Sequence, residues 1–289
     1  MTDIPDSSAP DSYGYVIDAE NAAEMARLML QDHMLTGALG GLVPEPIDLS
    51  KVSQVLDIAC GPGGWLLDLT NNYAHIHGIG VDISQLMIEY ASSLAASQRL
   101  PNVQFRVMDV TKPLDFPDQT FDLVNARILT GFLAKEQWPL LLQECFRITR
   151  QGGILRLTEV EWGATNSPAY EKLTGFAALG NWRAGHSFSP SGRTFGTPPV
   201  LRLLMRQAGY QDIQHRACAV DYSAGTEGYE SGVQNYLVFY KLFQPFLVQM
   251  QVATAEELQN VYARMEEEMQ AEEFCAFDYY LTVWGRKSL

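Results

Sequence analysis

A short glycine turn fixes how this chain can fold. Residues 52–59 form an apolar run with the β-branched members Val52, Val55 and Ile58, which reads as a buried strand. The run ends in Gly61-Pro62-Gly63-Gly64, and a helical segment follows over 65–73. Strand, glycine turn and helix in that order present backbone N–H groups to a ligand at the strand's carboxyl end. Glycine suits the turn because a side chain would keep a ligand off the backbone, and most residues resist φ > 0.

Two common ligands are excluded by spacing. A dinucleotide fingerprint needs a third glycine where Leu66 stands, and a phosphate loop needs a Gly-Lys pair that is absent. Asp57-Ile58-Ala59-Cys60-Gly61-Pro62-Gly63 resembles the first motif of the class I S-adenosylmethionine-dependent methyltransferases, with Ala59 in place of the usual first glycine. The following segments resemble the same family. Ile76-His77-Gly78-Ile79-Gly80-Val81-Asp82 is a second strand ending in a carboxylate, placed about 20 residues past the turn, where it accepts hydrogen bonds from ribose hydroxyls. Ser84 is the helix cap that follows. After the alternating strand 103–107, Asp109 matches the family's adenine-amine acceptor and the next N–H, of Val110, meets a ring nitrogen. Residues 113–124 match a shared loop leading into strand four, and Arg150-Gln151-Gly152-Gly153-Ile154-Leu155 matches another shared segment. The resemblance therefore implies S-adenosylmethionine as cofactor. It implies a cofactor site of Asp57, Ala59, Gly61, Gly63, Asp82, Ile83, Met87, Asp109, Val110 and Asn125. Arg127 either contacts a polar substrate or the methionine carboxylate, or is a surface arginine. With Trp162 it forms the candidate substrate set.

Four alternating β/α units over 52–160 call for a parallel, doubly wound α/β sheet. The resemblance extends this to seven mostly parallel strands with a final antiparallel one near 279–287. Residues 1–14 read as disordered or lightly tethered. Residues 18–35 read as a helix, lying either over the site or on the sheet edge. The expected division is 1–45, a tail and helix over the active site, and 46–289, the main domain. Residues 161–197 read as an irregular substrate lid. An insert over 226–274 contains an aromatic run interrupted at Pro245 and an amphipathic helix with a solvated acidic face.

The net charge of −14 disfavours nucleic acid and anionic membrane partners. Four scattered cysteines suggest neither metal nor disulfide, and the N-terminus lacks a signal peptide's apolar stretch. A cytoplasmic monomer or homodimer is expected, with a small-molecule methyl acceptor. Methyl transfer from a sulfonium is an in-line displacement, so the protein must align the acceptor and exclude water. Where a base is needed, His186 in the expected lid is the candidate, with Glu161 and His33 as further ones. An RNA or protein methyltransferase, or a cofactor-binding protein without catalysis, are the alternative readings. Labelled methyl transfer to metabolites rather than RNA or protein distinguishes them.

Overall fold

The computed structural model describes residues 16–288; the expectation for 1–14 lies outside them. Val55, Leu56 and Ile58 of β1 (Gln54–Ile58) are fully buried, as befits a parallel strand covered on both faces. Around it run β2 (His77–Asp82), β3 (Val103–Val107), β4 (Phe121–Arg127), β5 (Thr149–Thr165), β6 (Gln211–Asp221) and β7 (Ala276–Arg286), in the spatial order β3-β2-β1-β4-β5-β7-β6. Strands β1 to β5 pair in parallel, and β7 enters antiparallel between β5 and β6. The order reverses beside β1, so the crevice at the carboxyl ends of β1 and β4 is where such sheets take ligands.

Helix α1 (Ala22–Leu39) precedes the sheet, and α2 (Gly64–Asn72), α3 (Gln85–Gln98) and α4 (Trp138–Ile148) cover its faces. Ser84 caps α3 through its hydroxyl to the Met87 N–H at 3.1 Å. Helix α5 is Pro168–Arg183, α6 is Leu201–Ala208, α7 is Tyr229–Gln249 and α8 is Ala255–Met269. No helix lies between β3 and β4. That crossing is held instead by Arg147, whose guanidinium donates to the carbonyls of Leu114 and Phe116. Helices α5, α7 and α8 share an apolar core with Tyr170, Leu173, Phe243, Leu258 and Met265.

Three expectations need correction. The irregular lid over 161–197 is largely ordered: β5 continues to Thr165 because β7 pairs with it as far as Thr165↔Ala276, α5 follows, and only 184–197 is mostly irregular. Ser167 caps α5 by accepting the Tyr170 N–H, and Pro168 occupies its first turn. Pro245 does not interrupt its helix: α7 runs through it to Gln249, with Phe243, Phe246 and Leu247 buried around it, and this packing offsets the lost backbone bond. The leading helix begins and ends later than 18–35, starting after Asn21, whose side chain accepts the Ala23 N–H.

Candidate active site

The turn after β1 is built by unusual backbone angles. Ala59 has φ 52°, Gly61 φ 54° and Gly63 φ 81°. A Cβ on Gly61 would meet only Leu28 at 3.7 Å, so its glycine serves the left-handed backbone. Gly63 answers a packing constraint as well: a Cβ there would sit 2.7 Å from the Phe105 ring and 2.9 Å from Ala91. The Gly61 N–H is already engaged, donating to Asp82 Oδ2 at 2.8 Å, while Asp82 Oδ1 accepts from the Ser84 N–H at 3.0 Å. Asp82 therefore ties the glycine turn to the start of α3. Burial raises its carboxyl above the ordinary range, opposed by these N–H donors.

A cavity of about 350 Å³ opens over this turn. It crosses the carboxyl ends of β3, β2, β1, β4 and β5, and α1, α5 and α7 complete its walls. At the β2–β3 end lie Asp82, Ile83, Met87, Asp109 and Val110, and at β1 lie Asp57, Ala59 and Gly61. Asp109 Oδ1 accepts from the N–H and hydroxyl of Thr111 at 2.9 and 2.6 Å, which sets its carboxylate on the wall. Segment 16–21 closes over this end: Glu20 accepts the Gln85 and Leu86 N–H groups at the start of α3, and Ser84 donates to the Ala19 carbonyl at 2.9 Å.

Gly63 and Asn125 stand off the cavity wall. Asn125 is fully buried and links Asp57, which it donates to at 2.7 Å, to Arg156, from which it accepts at 2.8 Å. Arg156 in turn pairs with buried Glu45 at 2.9 Å. Asn125 thus orients Asp57 from behind. Burial pushes the Asp57 carboxyl up to about 7, against the pull of Arg127 and the Asn125 hydrogen bond.

Both candidate substrate residues line the cavity. Arg127 is no open surface arginine, because it pairs with Asp32 of α1 at 2.6 Å. Trp162 lies in β5 among Phe195, Tyr236, Phe239 and Tyr240, with ring centroids 5.0–6.2 Å away. Behind them, buried Asp278 accepts from the Tyr236 hydroxyl and from the Gly163 N–H at 3.2 Å, and burial lifts its carboxyl to about 6. Buried Glu159 receives the N–H groups of Leu129 and Thr130 at 2.7 and 3.2 Å. It fixes the turn that puts Thr130 and Phe132 on the wall, and burial raises it to about 7.

The expected bases are not gathered here. His186 is 1% exposed and lies outside the cavity wall, held after α5 by its N–H to the Asn181 carbonyl at 2.9 Å. It sits in the irregular stretch that follows α5, but buried rather than on the wall. Glu161 spends its carboxylate on the Phe195 and Gly196 N–H groups, both at 2.8 Å, and so positions Phe195. His33 lines a separate depression between α1 and α2. Sequence reading missed Arg27, Asp32, Asn181 and Asn235 on the wall. The 3.6-residue spacing of α1 was visible, but which of its polar residues faced inward was not.

Residues 55–153 match a family model described as a methyltransferase domain. That segment is similar to a methyltransferase domain. The chain is 29% identical over 170 residues to the probable methyltransferase ltbC of Aspergillus luteorubrus, covering 56% of this chain and 58% of that one. It is 25% identical over 189 residues to the secondary metabolism regulator LAE1 of Cochliobolus heterostrophus, covering 62% and 56%. The matches span little more than half the length of these relatives. Its fold is similar to Haemonchus contortus phosphoethanolamine N-methyltransferase 2, with TM-score 0.52 at 14% identity over 89% of this chain and 53% of that one. It is also similar to the YcgJ protein of Bacillus subtilis, with TM-score 0.51 at 18% identity over 82% and 92%.

Proposed function

We propose that this protein transfers a methyl group from S-adenosylmethionine to a small organic acceptor. The observation that carries the reading is one continuous cavity with two chemically different ends. One end offers Asp82 and Asp109 with an apolar slot of Ile83, Met87 and Val110, which suits the hydroxyls, amine and ring of an adenosine. The wall also carries Asp57 and Asp32, and its Arg127 is already neutralised by Asp32. Such a wall suits a phosphate-free cation and repels a dinucleotide or nucleoside triphosphate. The other end is aromatic and enclosed by helices, dimensions suited to a small molecule.

When bound, S-adenosylmethionine supplies a methyl group already activated on a sulfonium. Residues of this chain then bind, orient and dehydrate. Asp82 and Asp109 hold the nucleoside, and Asp57 faces the positive charge with Asn125 fixing its direction. Trp162, Phe195, Tyr236 and Phe239 hold the acceptor and keep water out. The fungal relatives named as methyltransferases or as a secondary metabolism regulator support a small-molecule acceptor over RNA or protein, as does the net charge of −14. The proposed organisation keeps 1–45 as an element over the site and 46–289 as the catalytic domain.

The test is incubation with methyl-labelled cofactor and, in parallel, a metabolite extract, total RNA and total protein. Label in an organic-soluble metabolite alone is expected. Label in RNA or protein, or none with any fraction despite cofactor binding, overturns the reading.

A further inference from the structure

A row of polar side chains crosses the middle of the sheet. Asp57 of β1 pairs in register with Asn125 of β4, and Asn125 with Arg156 of β5, so the three project from one face at one level. Each is flanked along its own strand by buried apolar residues: Leu56 and Ile58, Val124 and Ala126, Leu155 and Leu157. On the β2 side the row ends at Gly80, which stands opposite Asp57. Beyond Arg156, buried Glu45 completes the chain of contacts. Its carboxylate accepts from Arg156 Nε at 2.9 Å and Nη2 at 3.1 Å. Pro44 and Pro46 restrict the backbone on both sides of Glu45.

The row has a fixed polarity. Arg156 can only donate, so its Nη1 requires the Asn125 carbonyl oxygen, at 2.8 Å. That leaves the Asn125 NH₂ to face Asp57 Oδ1, at 2.7 Å. An amide turned the other way would aim its oxygen at Asp57, and only a protonated carboxyl could answer it. Glu45 neutralises Arg156, whose guanidinium would otherwise be an unpaired buried charge. Stability alone is weak ground for such a pair, since apolar residues of similar volume often do as well. Asp57 is the member of the row on the cavity wall.

We propose that Arg156, with Glu45 as its counter-ion, is a positioning residue for cofactor binding: through Asn125 it keeps Asp57 ionised and turned toward the cationic cofactor. This rests on the reading that Asp57 faces that cation. Charged and polar groups meet Asp57 from three elements. Burial raises its carboxyl; Arg127 and Asn125 of β4 and Arg156 of β5 lower it, and Asp32 of α1 raises it. Arg127 and Asp32 answer each other at 2.6 Å, so Arg156 is the cation whose effect reaches Asp57 through a fixed amide.

The test removes both charges together, in Glu45→Met/Arg156→Met, which leaves no unpaired ion behind. Carbon-13 NMR follows the Asp57 carboxyl through its titration in the ligand-free full chain, its signal assigned as the one lost in Asp57→Asn. Calorimetry reads S-adenosylmethionine binding, without acceptor, across the same pH range. In the double variant the Asp57 midpoint is expected to rise by at least about half a unit. Affinity at about pH 6 should then fall about threefold, the same shift read as a binding ratio. At about pH 8.5, above both midpoints, the two affinities should converge, which a merely structural role would not produce. If the double variant does not fold, Arg156→Lys decides: an ammonium lacks the planar fork that spans Glu45 and Asn125, and the same rise is expected. An unchanged Asp57 midpoint, or affinity lowered equally at every pH, overturns the proposal. A raised midpoint with affinity that ignores pH leaves the row's control of Asp57 standing and overturns the place of Asp57 beside the cofactor; a wild-type chain that binds no S-adenosylmethionine does the same.

Discussion

The backbone N–H of Gly61 and the carboxylate of Asp82 are joined by a 2.8 Å hydrogen bond across two adjacent strands. The acidic residue on the cavity wall is thereby also the anchor of the glycine turn. In Asp82→Asn, one of the two backbone donors, Gly61 or Ser84, must face an amide NH₂. Cofactor affinity is expected to fall at least about tenfold, ~1.4 kcal/mol. Calorimetry with S-adenosylhomocysteine checks this, and an unchanged Kd would remove Asp82 from the site.

Asp57 titrates near neutrality, because burial lifts its carboxyl to about 7. A cationic ligand beside it favours the ionised form and lowers that value. Binding should therefore release a proton between about pH 6 and 7 and tighten as pH rises through that window. Calorimetry in two buffers of different ionisation enthalpy reads the proton directly. In Asp57→Asn the buffer dependence should vanish; its persistence would mean that another group titrates.

Three buried carboxylates, Asp57 and Glu159 at about 7 and Asp278 at about 6, bind protons more tightly folded than unfolded. Their contribution is fully present below the unfolded carboxyl range near pH 4 and is lost as pH rises through 6 to 7. Carboxylates shifted the other way, such as Asp122 and Glu144, titrate below that window. Thermal unfolding of the ligand-free chain should show a higher Tm at pH 5.5 than at pH 8. A Tm that rises over this interval would contradict the burial assigned to these groups.

Ala59 and Gly63 make opposite demands on one turn. At φ 52° an alanine costs about 1 kcal/mol that glycine avoids, so Ala59→Gly is expected to stabilise by about that amount. Gly63→Ala pushes a methyl into Phe105 and Ala91 and should cost about 1–3 kcal/mol. Urea unfolding of the two variants reads both signs; the same sign in both would show the turn to be built differently.

Much of the sheet was legible because its central strands are buried on both faces, so 52–59 and 76–82 read as apolar runs closed by turn residues. Helix α5 was not. It packs between α7 and α8, and its buried face, Ala169, Tyr170, Leu173, Ala177, Ala178, Gly180 and Asn181, keeps helical spacing but is mostly small or polar, so no apolar stripe stands out in the sequence. Asn125 was picked out for the cofactor, yet its partners Asp57 and Arg156 lie 68 and 31 residues away in the chain, a relation no local pattern carries. His186 was chosen for its place in a segment expected to be irregular; it does lie in the irregular stretch 184–197, but buried and off the cavity wall, which no local pattern reveals.

Strand β7 has a consequence for how the molecule comes into being. It supplies the hydrogen-bonding partner for both β5 and β6, so β6 has no neighbour in the sheet until 276–286 has left the ribosome. Until then the nascent chain holds a five-stranded half-product with the flank of β5 open for edge-to-edge pairing. A chain ending before residue 276 should therefore aggregate, whereas a chain that carries 276–286 free of the ribosome should not.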